Sequence, residues 1–313
     1  MNVTMKKKKV FFVFMLNLVS LLVVAQSDIR LNNYWVNPQY INPASIYDKY
    51  QAVFSMAARK QWFGFPGAPT TYFASATTYL EKFHTQLGLI VLQDQIGYTS
   101  TSNIGLTYGY AIPFQRNWEL HLGLGMNYQN LSYDQSKLNL ATNSDPFIID
   151  KLKTTSDINA DIGVEVTNKM FKIGAASQNI FSLFSKQNNQ QPNTNFLYGR
   201  YREYSSDMIN MGYGLCAIQY SAMVQAEMNV TAYFKMPDRS GLNNNPDKFD
   251  LGVFYRSRSE AGLIFGFDIS EAIHVSYSYD YHFGGISLKS YGTNELMLTY
   301  NLIRKEVCHN CWY

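Results

Sequence analysis

The chain has 313 residues, of which 24 are tyrosine and 20 phenylalanine, and only 16% are charged. Its formal net charge of +3 falls to −1 once the four lysines at 6–9 are set aside, because no acidic residue accompanies them. A near-neutral chain has no electrostatic reason to bind nucleic acid, and the mean hydropathy of −0.20 does not exclude a membrane, since in a β-barrel only alternate residues touch lipid.

Residues 1–25 read as a signal peptide. Lys6, Lys7, Lys8 and Lys9 form a positive start, residues 10–24 form an apolar run, and Val23 and Ala25 fit the small-residue pattern before a cut between Ala25 and Gln26. The run is shorter than the roughly 20 apolar residues of a membrane-spanning helix, and no second such run follows. No cysteine lies near Ala25 to accept a lipid. Residues 26–50 read as a periplasmic N-terminal segment, with Asn37-Pro38 and Asn42-Pro43 as an ordered, turn-rich entry to the first strand.

From residue 51 to residue 302 the dominant signal is period-two alternation. Ile104, Leu106, Tyr108, Tyr110 and Ile112 alternate with Gly105, Thr107, Gly109 and Ala111. Leu120, Leu122, Leu124, Met126 and Tyr128 alternate with His121, Gly123, Gly125, Asn127 and Gln129. Ile209, Met211, Tyr213 and Leu215 face away from Asn210, Gly212, Gly214 and Cys216. Val275, Tyr277, Tyr279, Tyr281 and Phe283 alternate with His274, Ser276, Ser278, Asp280 and His282, and Leu296, Leu298, Tyr300 and Leu302 with Glu295, Met297, Thr299 and Asn301.

A soluble sandwich and a membrane barrel both produce such segments. Segment lengths of about ten residues, the export signal and the many tyrosines select an all-β, transmembrane antiparallel outer-membrane barrel.

Strands are expected to begin near Gln51, Thr71, Gln86, Ser102, Trp118, Ile158, Met170, Ser205, Ala222, Phe249, Ala261, Ile273 and Asn294. That odd number conflicts with the even number of bacterial barrels, whose two ends both lie in the periplasm. Counting forward makes the loop 237–246 external, while counting back makes it periplasmic. The missing strand is therefore placed within residues 179–220, for about 14 in all. Polar loops at 134–157 and 186–198 separate strands, the first being the expected long external loop. Residues 303–313, with Arg304, Lys305 and Trp312-Tyr313, form a periplasmic tail. Cys308 and Cys311 form a lone CxxC with only His309 nearby, too few ligands for a zinc site.

No nucleophile elbow, zinc-protease helix or phosphate loop is present. The densest polar row, His274, Ser276, Ser278, Asp280 and His282, occupies one face of one strand. Neighbours there lie about 7 Å apart, too far for a catalytic relay, and wet lumen lining accounts for them. Between the first two strands, Gly64, Pro66, Gly67 and Pro69 make a rigid turn that follows Arg59 and Lys60, with Trp62 and Phe63 as interfacial anchors.

Four stretches carry a family resemblance: residues 34–38 with 41–44, residues 59–71, residues 88–97, and the closing 276–281 with 295–300. In this order they resemble the PorP/SprF family of type IX secretion system membrane proteins of Bacteroidota, with Asn37, Pro38, Asn42, Pro43, Arg59, Lys60, Trp62, Gly64, Gly67 and Pro69 at the motif positions. The resemblance implies no enzyme activity, no cofactor and no metal. It implies support for secretion or surface attachment of a cargo such as a gliding adhesin. The partners it implies are PorK/PorN-like periplasmic ring proteins, that cargo, and outer-membrane lipid. A passive outer-membrane channel or small-solute transporter is the rival reading, and a barrel-embedded hydrolase the third.

Overall fold

The computed structural model describes residues 31–115, 117–134, 154–184, 191–221, 223–236, 246–257, 260–283 and 290–304. The signal peptide, the pair Cys308 and Cys311, most of the loop 134–157 and the tail beyond residue 304 lie outside the described residues.

Fourteen strands are described: β1 (Tyr50–Lys60), β2 (Thr70–Leu80), β3 (Thr85–Ile96), β4 (Thr99–Gln115), β5 (Trp118–Tyr133), β6 (Thr155–Thr167) and β7 (Phe171–Gln178) in the first half, then β8 (Thr194–Arg202), β9 (Ile209–Tyr220), β10 (Met223–Lys235), β11 (Asp247–Arg256), β12 (Glu260–Ser270), β13 (Ile273–His282) and β14 (Thr293–Ile303). Each pairs antiparallel with its sequence neighbours, and β1 closes on β14 with Val53 opposite Asn301 and Lys60 opposite Asn294. Closure leaves no unpaired edge, the condition for a sheet to stand in lipid. The strand missing from the alternation pattern is β8, inside the interval that parity singled out. With it in place, the loop after β10 falls on the same side as the chain ends, the periplasmic side.

The two faces divide as the alternation requires. On β5, Leu122, Leu124 and Met126 are exposed while His121 and Asn127 are buried. On β13, Tyr277 is exposed while Ser276, Ser278 and Asp280 are buried. The outward faces form an apolar and aromatic surface, and the barrel is an outer-membrane barrel. Leu124→Arg, in the middle of β5, is expected to cost about 2–4 kcal/mol, and Leu302→Arg, at the periplasmic end of β14, about 0–1 kcal/mol. Urea midpoints of the two variants in micelles or vesicles measure the difference, and equal costs would contradict the depth assigned to each.

The inside of the barrel departs from expectation. Residues 26–50 were read as a periplasmic segment and the lumen as wet. Instead, the described part of that segment, residues 31–46, runs through the lumen. Leu31, Asn32, Asn33, Tyr34, Asn37, Gln39, Ile41, Asn42, Ala44, Ser45 and Ile46 are all buried there. The segment enters at the periplasmic end, where Tyr47 N–H donates to Gln86 Oε1 at the start of β3 (2.8 Å). It reaches the opposite end, where Arg59 Nη1, near the external end of β1, donates to Asn32 Oδ1 (2.8 Å).

The cause lies in the segment's composition. Its 3-10 turns at Asn32–Trp35 and Pro38–Tyr40 leave many backbone and amide groups without regular partners. A polar lumen wall satisfies them, as buried polar groups require. Asn37 Nδ2 donates to Ser75 Oγ (2.6 Å), Gln39 Nε2 to Thr107 Oγ1 (2.5 Å), and Asn42 Nδ2 to Tyr198 Oη (3.0 Å).

The wall is also cut to fit. A Cβ added to Gly88, Gly123 or Gly163 would stand 2.1 Å from Gln39 Nε2, 2.1 Å from Ala44 N and 1.9 Å from Asn42 Oδ1. One glycine from each of β3, β5 and β6 thus makes room for the segment.

Candidate functional site

The N-terminal segment is clamped by two layers of polar side chains. The external layer is built from the lumen-facing positions of β1 and β10–β14. Arg256 on β11 is fully enclosed. Its Nε meets Glu227 Oε2 at 2.5 Å, and its Nη1 lies 3.1 Å from Glu260 Oε2 and 3.6 Å from Asp280 Oδ2. Arg59 lies 3.5 Å from both Asp280 Oδ2 and Glu295 Oε2. His282 Nδ1 meets Glu260 Oε1 at 3.0 Å.

Asn32 joins the two arginines, because its Oδ1 accepts from Arg59 Nη1 and from Arg256 Nη2, each at 2.8 Å. Its Nδ2 donates to Ser278 Oγ (3.0 Å) and its backbone N–H to Glu295 Oε2 (2.7 Å). Asn33 donates twice to Glu295 Oε1, and Tyr34 Oη and Trp35 Nε1 both donate to Glu227 Oε1. Among the described residues, two arginines and His282 face four carboxylates, and donors of the segment reach two of those carboxylates as well.

The periplasmic layer centres on Glu165 of β6. Tyr198 Oη donates to its Oε2 (2.5 Å), His121 Nδ1 stands 3.4 Å from its Oε1, and Lys172 Nζ 3.7 Å. Between the layers, Tyr34 and Ile41 pack against Ala176, Phe196, Tyr198, Cys216 and Ile218, and Leu31 against Ala57, Phe73, Leu92 and Met297. Cys216 is therefore a core residue.

The motif residues fall into two groups. Asn37, Pro38, Asn42 and Pro43 belong to the lumen segment, and Arg59 reaches in to hold it. Lys60 points outward, with its Nζ 5.6 Å from the Phe63 ring centroid. Trp62, Gly64, Gly67 and Pro69 shape the external β1–β2 loop. Gly64 (φ 92°) and Gly67 (φ 73°) sit in the left-handed region that side chains disfavour, and Trp62 (φ 51°) is there as well. Gln61 N–H donates to Pro69 O, Phe63 N–H to Gly292 O, and Gly97 N–H to Gly67 O. The loop is thereby tied to the turn after β3 and to the loop before β14.

The row on β13 does not act as a unit. His274 Nδ1 meets Asp268 Oδ1 at 2.7 Å, His282 pairs with Glu260, Ser278 accepts from Asn32, and Asp280 faces the arginines. Each is engaged with another strand or with the segment. Among the described residues, no group of three or more histidine, cysteine or acidic side chains is arranged to hold a metal.

Sequence reasoning singled out Arg59, Asp280 and His282 but not Arg256, Glu227, Glu165 or Asn32. The available signal was charge in the lumen phase of otherwise apolar strands, where an unpaired ion would be costly.

A family model for the type IX secretion system membrane protein PorP/SprF matches residues 23–300. Among solved structures, the chain is similar to the outer membrane protein Omp33 of Acinetobacter baumannii, at 10% identity over 81% of this chain and 98% of that one, with a TM-score of 0.48. It is similar to the CymD monoaromatic hydrocarbon channel at 10% identity, 90% and 95% coverage and a TM-score of 0.49. Similarity to the Pseudomonas putida toluene transporter TodX is at 8% identity, 87% and 93% coverage and a TM-score of 0.45. No curated protein matches the chain. With the match running from ahead of the lumen segment to the last strand, the chain belongs to the PorP/SprF family of type IX secretion system membrane proteins.

Proposed function

We propose that this barrel is an accessory of type IX secretion that supports export or surface attachment of a cargo protein such as a gliding adhesin, after residues 1–25 are removed at Ala25. The observation that carries the reading is the lumen filled by the chain's own N-terminal segment and held by buried ion pairs. A passive channel or solute transporter, the second reading, needs a continuous path past residues 31–46. An accessory barrel needs only its rims and outer surface. On this reading the periplasmic rim meets PorK/PorN-like ring proteins, the external rim meets cargo, and the barrel wall meets outer-membrane lipid. We assign no reaction to the protein: His274, Ser278, Asp280 and His282, the side chains that most resemble a catalytic set, hold strands and segment together.

The test compares surface and medium proteomes of a deletion strain and a complemented strain. Loss of one or more type IX cargoes from the surface is expected, with outer-membrane integrity kept. The complementing protein is expected in the outer-membrane fraction with Gln26 as its first residue. Normal cargo display together with lost uptake of small solutes would favour the channel, and a start at Met1 would refute the cleavage.

A further inference from the structure

Over the bend of the lumen segment at Gln39, Tyr40 and Pro43 lies a cavity of about 80 Å³. Its walls come from residues of β3 to β9, and its floor is the segment itself. Side-chain amides dominate its polar lining. Gln39 Nε2 donates to Thr107 Oγ1, Asn127 Nδ2 to both oxygens of Asp161 (3.1 Å each), Gln178 Nε2 to Tyr40 O (2.9 Å), and Asn179 Nδ2 to Gln191 Oε1 (3.3 Å). Each of these four NH₂ groups gives a hydrogen bond to a protein acceptor.

Two acceptors are unmet. Gln39 and Asn127 are more than nine-tenths buried, yet Gln39 Oε1 and Asn127 Oδ1 receive no hydrogen bond. Asp161 accepts only from neutral groups, Asn127 and the Asn179 N–H (2.8 Å), and no cationic side chain among the described residues pairs with it. Buried carbonyl oxygens and a carboxylate away from bulk water each need a donor, and the carboxylate also needs positive charge. Water meets the first need and leaves the second unmet. The rings of Tyr40 and Phe196 line the same cavity, giving flat apolar faces on which a guanidinium or an alkyl stem can lie.

We propose that this cavity is a receptor for a cationic hydrogen-bond donor, a guanidinium or primary ammonium group. The volume accommodates a head group of this size. The group would be carried either by a small free molecule or by the side chain of a protein. The site stands independently of any role in secretion.

The experiment is isothermal titration of the full chain in detergent micelles. The probes are agmatine, a glycine-flanked arginine peptide, the same peptide with citrulline, urea, and sodium or calcium chloride alone. Saturable binding of agmatine or of the arginine peptide is expected, with none for citrulline or urea. Binding of both assigns the site to free cations, and binding of the peptide alone assigns it to a protein side chain; either outcome upholds the cationic receptor. Asp161→Asn is expected to weaken binding at least tenfold. Gln39→Met, which keeps the shape and removes the carbonyl, should weaken it several-fold, and Glu271→Gln in a periplasmic turn should leave it unchanged. Heat-modifiable migration confirms folding of each variant, and Gln39→Met carries the test if Asp161→Asn does not fold. No saturable binding of either cation, equal binding of urea, a metal-only response, or undiminished binding in the folded variants would overturn the proposal.

Discussion

A Gly123→Val barrel is expected to conduct ions in planar bilayers under conditions where the parent chain is silent. The glycine lies on the lumen face of β5, and a Cβ there would stand 2.1 Å from Ala44 N and 2.4 Å from Pro43 C. Both are backbone atoms, so no rotamer change relieves the overlap and the segment must shift bodily. Overpacking of a fitted interior typically costs about 1–3 kcal/mol, with backbone collisions at the upper end or beyond.

The strand itself has no such conflict, because its ladder partners, Gly109 and Gly163, sit to either side and the outward face is untouched. The barrel should therefore form while the segment is displaced. Gly199→Val is the control, since nothing lies within 4 Å of the added atom. Chymotryptic cleavage at Tyr34 or Tyr40 should rise in the first variant alone. A silent Gly123→Val barrel whose segment has become cleavable would show that residues 31–46 do not close the lumen, and an equally protected segment would show that the wall accommodates the added side chain.

Removing the guanidinium of Arg256 is expected to be the most destabilising single charge change in the protein. Arg256→Ala should lower stability by about 3–5 kcal/mol, the range for breaking a buried ion pair by deleting one partner. The size follows from what is left behind. Glu227, Glu260 and Asp280 lose their shared counter-ion, and Asn32 loses one of its two arginine donors. Arg59 lies 3.5 Å from Asp280 and from Glu295 and must move to replace the closer contacts that Arg256 makes.

Urea unfolding in micelles reads the loss. The double variant Arg256→Met with Glu227→Leu should recover part of it, because removing both members of a buried pair leaves fewer ions unmatched. An Arg256→Ala midpoint within about 0.5 kcal/mol of the parent, the range of ordinary surface changes, would mean that the layer is hydrated and weakly coupled.

The barrel was legible because most strands obey one rule, bulky outward and small or polar inward. Strand β8 was not, and its residues show why. Phe196 and Tyr198 point inward against Tyr34 and Ile41, while Asn195 and Gly199 fall in the outward phase. Only Leu197 and Tyr201 keep the outward phase bulky, and the large inward rings that pack on the segment blur the alternation that marks the other strands. The segment was illegible for a related reason. Residues 31–46 have no period, and Asn-Pro pairs at 37–38 and 42–43 fit an exposed turn as well as a buried one. Only partners such as Glu295 and Glu227, about 190 to 260 positions away, distinguish the two. The lumen glycines were visible as small residues, but a small lining suits both an open pore and a wall shaped around a guest. The turn between β1 and β2 was legible from Gly64, Gly67 and Pro69, because glycine and proline are local signals, whereas its ties to Gly97 and Gly292 were not.

The grip of Asn32 and Asn33 on Glu295 also sets an order of assembly. These residues are 263 and 262 positions apart in the chain, and Glu295 stands on the last strand. The first stretch of the mature protein therefore finds its final partner only when the last stretch has been delivered. Arg59, next to last in the first strand, pairs with the same glutamate, so one side chain joins the seam between β1 and β14 to the seated segment. Contacts of such long sequence separation form slowly, because the chain entropy of the intervening loop is lost before any contact repays it. Until that moment the carboxylates of β10 to β14 have no segment to meet them, and a nascent chain truncated before residue 295 can adopt neither a closed seam nor a fully anchored interior.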